Sequence, residues 1–283
     1  MAYRITDKKM LNPQVFLMEV EAPLIARKAE PGQFIILRID EFGERVPFTV
    51  SDFNREKGTV TIIVQIVGKT TRDLSMLESG DEILDFAGPL GMPTELEGFS
   101  KVAVIGGGLG TAIAYPQAKK LHTIGSEVHT VAGFRDESFI ILKEELEKVS
   151  DKLIITTDDG SNGVKGFVTD RLKELIESGE KYDAVIAIGP LMMMRAVAKL
   201  TEEYGIKTIV SMNPVMIDGT GMCGGCRVTV GGETKFACVD GPDFDGHLID
   251  WDSAINRQKM YKSEEKRSCD EGHCRIGRSN KGC

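Results

Sequence analysis

The stretch that decides the fold is KVAVIGGGLGTAIAYPQAKKL, residues 101–121. Val102–Ile105 is a short buried-strand run, a glycine turn follows, and a helical pattern then continues through about Leu121. A strand feeding a helix through glycines brings backbone N–H groups and the positive end of the helix to one point, which suits a diphosphate. The turn, with Gly106, Gly107, Gly108 and Gly110, departs from G-x-G-x-x-G because Thr111 stands at its end. Taken alone it is equally a tight strand–helix connection.

Working outward, strand and helix keep alternating. Strands are predicted at Glu127–Ala132, Leu153–Thr157, Ala184–Ile188 and Thr208–Met212, and helices over Ile140–Val149, Thr169–Glu177 and Met192–Tyr204. That order implies a Rossmann-like domain over residues 99–212, with a parallel sheet covered on both faces. Upstream the period changes. Phe16–Glu21, Gln33–Ile39, Thr59–Val67 and Glu82–Phe86 are β-rich and separated by turn signals such as Pro31-Gly32 and Gly88-Pro89. Residues 1–98 are therefore expected to form an antiparallel β-barrel.

Beyond residue 212 a third pattern begins. Asp218, Cys223, Cys226 and Cys238 read D-x4-C-x2-C-x11-C. Plant-type [2Fe–2S] proteins use C-x4-C-x2-C and a distant fourth cysteine, so the spacing is kept with Asp in the first position. Zinc is the competing ligand for a C-x2-C pair, but a second close pair is missing. Asp218 is the expected fourth ligand, the alternative being a bystander. The module spans residues 213–254, followed by a polar, basic tail over 255–283. Cys269, His273, Cys274 and Cys283 in that tail could form a metal site, but they lack a glycine-supported geometry and are read as part of a mobile or partner-docking tail. His122 and His129 are expected at the surface.

The 283-residue chain carries a formal net charge of −8, which argues against nonspecific nucleic-acid binding. No apolar run approaches the roughly 18 residues that span a bilayer, and the N-terminus has no secretory pattern. Six cysteines, three of them in cluster spacing, suit a reducing cytoplasm.

Two further clusters lie in the first unit. Arg45-Val46-Pro47-Phe48-Thr49-Val50-Ser51 puts a cation, a fixed bend and hydroxyls along one strand, and Gly68-Lys69-Thr70-Thr71 opens a short helix. Each alone is an ordinary strand or helix end. In the order Arg45-x-Pro47-x-Thr49, Gly68-x-x-Thr71, Gly106-Gly107-Gly108-x-Gly110 and the cysteine motif, the chain resembles the ferredoxin-NADP reductase superfamily. Within it, two kinds of electron-transfer subunit are similar: that of dihydroorotate dehydrogenase B, and the small subunit of NADH-dependent ferredoxin:NADP oxidoreductase. The resemblance implies an FAD-binding barrel, an NAD(H)-binding domain and a [2Fe–2S] module. It places Arg45, Pro47, Phe48, Thr49, Val50 and Ser51 at the flavin, and Gly68, Lys69, Thr70 and Thr71 at its diphosphate. It places Gly106 to Thr111, together with Gly189, Pro190 and Met193, at the nicotinamide nucleotide.

The same resemblance puts the 2′-phosphate of NADP near Thr156-Thr157-Asp158-Asp159. Asp158 and Asp159 would repel it, by roughly 1 kcal/mol per charge pair in water and about 4 at a protein surface. NAD(H) is thus expected, with Arg135 a partial offset. Asp218 in the first ligand position is more similar to the ferredoxin-linked small subunit, which implies flavin-based electron bifurcation. That activity brings a larger flavin and [4Fe–4S] partner handling NADP(H) and ferredoxin. The dihydroorotate dehydrogenase B subunit is the alternative, and a redox-sensing binding protein is a third reading.

Overall fold

The computed structural model describes residues 2–260. The first unit runs β1 (Tyr3–Asn12), β2 (Val15–Glu21), α1 (Pro23–Lys28), β3 (Phe34–Arg38), β4 (Val46–Thr49), β5 (Asp52–Asn54), β6 (Thr59–Gln65), α2 (Lys69–Ser75), β7 (Glu82–Ile83) and β8 (Asp85–Leu90). Two antiparallel sheets, ordered β5-β6-β2-β1-β7 and β4-β3-β8, enclose Phe16, Met18, Ile35, Leu37, Ile62 and Phe86. The sequence does not predict β1. Only Ile5 of that strand is buried, so charged, solvent-facing residues hide its alternation.

The second unit comprises β9 (Lys101–Gly107), α3 (Gly110–Thr123), β10 (Glu127–Phe134), a 3₁₀ turn (Glu137–Phe139), α4 (Lys143–Glu147), β11 (Lys152–Thr157), α5 (Val168–Glu177), β12 (Ala184–Ile188), α6 (Leu191–Glu203) and β13 (Lys207–Ser211). The strands lie parallel in the order β11-β10-β9-β12-β13. Alternation along β9 feeds both faces. Val102 and Val104 pack with Ala114, Ala118 and Leu121 of α3, while Ala103 and Ile105 pack with Leu172 of α5 and Val197 of α6. The helix expected over Ile140–Val149 is shorter, because Asp136 caps a separate 3₁₀ turn and Leu142 takes a left-handed conformation at φ 55°.

The third segment adds the hairpin β14 (Arg227–Val230) and β15 (Glu233–Phe236), then β16 (Asp243–Asp245) and α7 (Trp251–Gln258). β16 joins the edge of the parallel sheet antiparallel to β13. α7 crosses the boundary expected at residue 254, and Arg257 donates to the Gly225 carbonyl at 3.0 Å. The tail cysteines lie outside the described residues.

His129 corrects an expectation: it is buried rather than at the surface. Its Nδ1 lies 2.8 Å from the Tyr182 hydroxyl and its Nε2 3.0 Å from Glu127. Between Glu127 and Glu180 sits the Lys101 ammonium, at 2.8 and 2.5 Å, where a metal would otherwise have to go. No helix among the described residues is long and apolar enough to cross a membrane.

Where the three segments meet, Asp243 Oδ2 accepts from Thr94 and, at 3.2 Å, from Gln117 Nε2, while its buried Oδ1 has no partner among the described residues. Burial pushes this carboxyl up to about 6. A carboxyl whose folded pKa is raised takes up its proton before the unfolded chain does. Its contribution to stability therefore falls as pH rises from about 4 through about 6. Asp243→Asn is expected to remove that loss. In urea unfolding, its stability relative to wild type should rise by about 1 kcal/mol between pH 5 and pH 7.

Candidate active site and cluster loop

The order of the parallel strands reverses between β9 and β12, and open α/β sheets bind ligands in the crevice at such a switch point. The structure brings Gly106–Gly110 and Gly189-Pro190-Met193 together there. A Cβ added at Gly107 would run into the Met193 sulfur and Pro190, and one at Gly110 would overlap the Ile188 carbonyl. Gly106 and Gly107 belong to β9 itself, and the turn is made at Gly108, whose φ is 55°. Gly108 N–H donates to the Gly133 carbonyl at 2.8 Å, tying the turn to β10. Thr111 is buried against Gly106 and packs the turn from below.

Next to this crevice, Phe134 and Thr157 pair at the ends of β10 and β11, so Arg135 and Asp158 leave the sheet side by side. Arg135 donates to Asp136 at 3.1 Å, and Asp159 accepts from Ser161 N–H at 2.9 Å. Those contacts with Ser161 hold the Asp159 carboxyl below its ordinary value.

On the barrel, β3 pairs with β4 so that Phe34 and Ile36 share a face with Thr49 and Pro47. That face points away from the barrel core, which receives Ile35, Leu37 and, in part, Phe48. Val50 is also packed inside the barrel, and Ser51 is buried with its N–H on the Thr61 carbonyl at 2.9 Å. Gly68 precedes α2. Thr71 Oγ1 accepts the Gly68 N–H at 2.9 Å, Thr70 Oγ1 donates to Glu44 at 2.7 Å, and Lys69 pairs with Asp73 at 3.3 Å. These side chains thus brace the turn before α2.

Arg45 does something its sequence position does not reveal. Its guanidinium donates to the carbonyls of Ile217 and Asp218 at 3.0 and 3.4 Å, bridging the barrel to the cluster loop. The loop lies on the outer face of β3. Gly219 has φ 78°, and a Cβ there would meet Ile36 at 2.6 Å and Leu90 at 2.8 Å. Behind it, Phe34, Ile36, Met212, Met216, Cys226 and Cys238 share one apolar core.

Within the loop, Asp218 accepts N–H bonds from Thr220 at 3.0 Å and Cys223 at 2.9 Å, which hold its carboxyl below the usual range. The Cys226 and Cys238 sulfurs approach to 3.2 Å in a buried setting, and burial, with Cys226 alongside, pushes the Cys238 thiol up to about 12. Two ligands of one tetrahedral metal with bonds of about 2.3 Å stand roughly 3.8 Å apart. The pair needs only a slight opening to share an iron. A buried Cys238 thiol that resists ionisation, near a carboxylate kept ionised, fits a positively charged iron–sulfur centre, which would deprotonate it.

Comparison with known proteins follows this geometry. A family model described as the iron–sulfur cluster binding domain of dihydroorotate dehydrogenase B matches residues 213–250. A dihydroorotate dehydrogenase B (NAD(+)) electron-transfer subunit homologue of Thermotoga maritima is 45% identical over 93% of this chain and 92% of its own length. The corresponding electron-transfer subunit of Desulforamulus reducens is 33% identical over 86% and 95%. The chain belongs to the family of dihydroorotate dehydrogenase B electron-transfer subunits and their homologues. Its structure also matches a chain of the NADH-dependent reduced ferredoxin-NADP oxidoreductase, studied for flavin-based electron bifurcation. That match has a TM-score of 0.90 and 44% identity, and covers 95% of this chain and 97% of the other. The ferredoxin reductase of carbazole 1,9a-dioxygenase, at 18% identity and a TM-score of 0.61, shares the fold.

The tightness of the switch point is testable. Gly110→Ala is expected to cost more than about 3 kcal/mol because a carbonyl blocks the new Cβ. Gly108→Ala, with open space around it but a left-handed backbone, should cost about 1–2 kcal/mol. Urea denaturation of the two variants checks the order.

Proposed function

We propose that this chain is the small subunit of an NADH-dependent ferredoxin:NADP oxidoreductase. It exchanges hydride between NAD(H) and FAD and passes single electrons through a [2Fe–2S] cluster to a larger partner. The carrying observation is Asp218, which stands at the first position of the D-x4-C-x2-C-x11-C spacing and accepts the Cys223 N–H at 2.9 Å, while the Cys226 and Cys238 sulfurs of the same spacing converge to 3.2 Å. The 44% identity to the bifurcating enzyme's chain supports the same reading. Bound FAD supplies the junction between two-electron hydride exchange and one-electron transfer, and the cluster supplies the one-electron relay.

The protein's own contribution is to bind, orient and exclude water. The β9 turn and the N-terminus of α3 offer N–H donors to the dinucleotide diphosphate, while Gly189, Pro190 and Met193 bound the nicotinamide side. Pro47 and Thr49 on the outer face of β4 offer the flavin a surface one strand away from Phe34 and Ile36, against which the cluster loop rests. Gly68, Lys69, Thr70 and Thr71, tied through Thr70 to Glu44 just before β4, would take the flavin diphosphate. Asp218 and Cys223 would hold one iron, and Cys226 and Cys238 the other. Arg45 clamps the loop carrying Asp218 to the flavin strand, which keeps the distance between the two redox sites short and fixed.

The exposed apolar side chains around the loop suit the partner, a larger flavin and [4Fe–4S] subunit. Met222 is 86% exposed, with Val215, Ile217 and Val239 nearby in the sequence around the ligands. A dihydroorotate dehydrogenase B electron-transfer role is the second reading, favoured by the family model over residues 213–250. Affinity purification separates them: a ferredoxin-linked flavoprotein supports the first, and an orotate-forming enzyme the second.

Cys226→Ser and Cys238→Ala are each expected to abolish the visible cluster absorption and the inorganic sulfide of the purified chain. Asp218→Cys should keep both while shifting the reduced-state electron paramagnetic resonance signal. A colourless, zinc-bearing wild-type protein would end the proposal.

A further inference from the structure

The rim where β10 and β11 end carries Asp136, Glu137, Asp158 and Asp159 around Arg135. Arg135 is not free. Its Nε donates to Asp136 Oδ2 at 3.1 Å, and its guanidinium lies 4.3 Å above the Phe139 ring. The other oxygen of Asp136 accepts the Ser138 N–H at 3.0 Å, shaping the 3₁₀ turn that presents Phe139. One carboxylate therefore grips the cation and builds the platform on which it lies. The neighbouring loop is stitched to this turn. Ser161 Oγ accepts the Glu137 N–H at 2.8 Å and donates to Asp159 at 2.7 Å.

We propose that Asp136 sets the preference of this site for the unphosphorylated dinucleotide by holding Arg135 against Phe139, away from a ribose 2′-phosphate. The inference rests on the crevice at β9 and β12 being the NAD(H) site. A dinucleotide with its diphosphate on the Gly108 turn lies against β10, because that turn is bonded to Gly133, two residues before Arg135. In sheets of this kind an acidic residue beyond the second strand takes the ribose 2′-hydroxyl, or a nearby arginine takes the 2′-phosphate. Here both types stand on consecutive residues and bond to each other. The pair engages the guanidinium Nε and Phe139 covers one of its faces, which fixes the direction of its two terminal nitrogens, while Asp158 adds a repelling charge beside it. Lys165, whose stem packs over Gly160, is a second cation on this rim and stays constant in the test.

Asp136→Asn keeps an oxygen to cap Ser138 and removes the charge that holds Arg135. Calorimetric titration of the flavin- and cluster-loaded protein with adenosine 2′,5′-bisphosphate and with adenosine 5′-monophosphate reads the effect without turnover. Asp136→Asn is expected to shift the ratio of the two dissociation constants about tenfold toward the bisphosphate, a change of about 1.4 kcal/mol. Arg135→Ala alone should leave the ratio near wild type, and adding it to Asp136→Asn should cancel the gain. An unchanged ratio in Asp136→Asn, or a gain that survives loss of Arg135, overturns the role of Asp136. Flavin bleaching by NADH in the wild-type protein separates the two levels: if NADH fails to bleach it, the site assignment itself falls and this inference with it.

Discussion

Strand β3 is buried on both faces, and the rest of the structure depends on it. Ile35 and Leu37 point into the barrel, while Phe34 and Ile36 point outward into a core shared with Met212, Met216, Cys226 and Cys238. A fully buried side chain of this size stabilises by about 1.5–3 kcal/mol. Phe34, Ile36, Met212 and Met216 together thus outweigh the two exposed Arg45 bonds, since a hydrogen bond from a charged group contributes only about 1.5–3 kcal/mol even under favourable conditions. Apolar packing places the cluster loop, and Arg45 sets its final alignment.

That packing determines where the chemistry sits. β4 lies directly beside β3, so Pro47 and Thr49 share one wall with the cysteine loop. β16 returns from the cluster segment to pair with β13, which ties the loop to the nucleotide sheet as well. The barrel, the cysteine loop and the nucleotide sheet are therefore held to one another by the β13–β16 ladder and by the core around Phe34 and Ile36. Rigid spacing of this kind serves electron transfer better than mobile domains, because short distances need no rearrangement.

Charge is distributed to match. The rim at the ends of β10 and β11 is acidic, with Arg135 paired to Asp136, whereas burial holds the Cys238 thiol of the cluster segment above its ordinary range. Lys101, Glu127, Glu180 and His129 form a separate, self-satisfied network with no opening for a ligand.

The amino-acid sequence by itself determined the order of the units, because a period of two, a strand–helix alternation and D-x4-C-x2-C-x11-C are all local patterns. It also determined Ala184–Ile188 to the residue, since an unbroken apolar run bounded by Asp183 and Gly189 admits one boundary. It did not reveal β1, whose single buried residue carries no period, nor the burial of His129, which depends on Tyr182 and Glu127 arriving from other places in the chain. The tertiary structure alone decided that Arg45 spans to residues 217 and 218, that Thr71 braces its own helix and that Asp136 holds Arg135. The first two are contacts between side chains and distant or turning backbone, and the third joins two neighbouring side chains at a strand end. Their geometry is set by how strands stack, and no spacing along the chain encodes it.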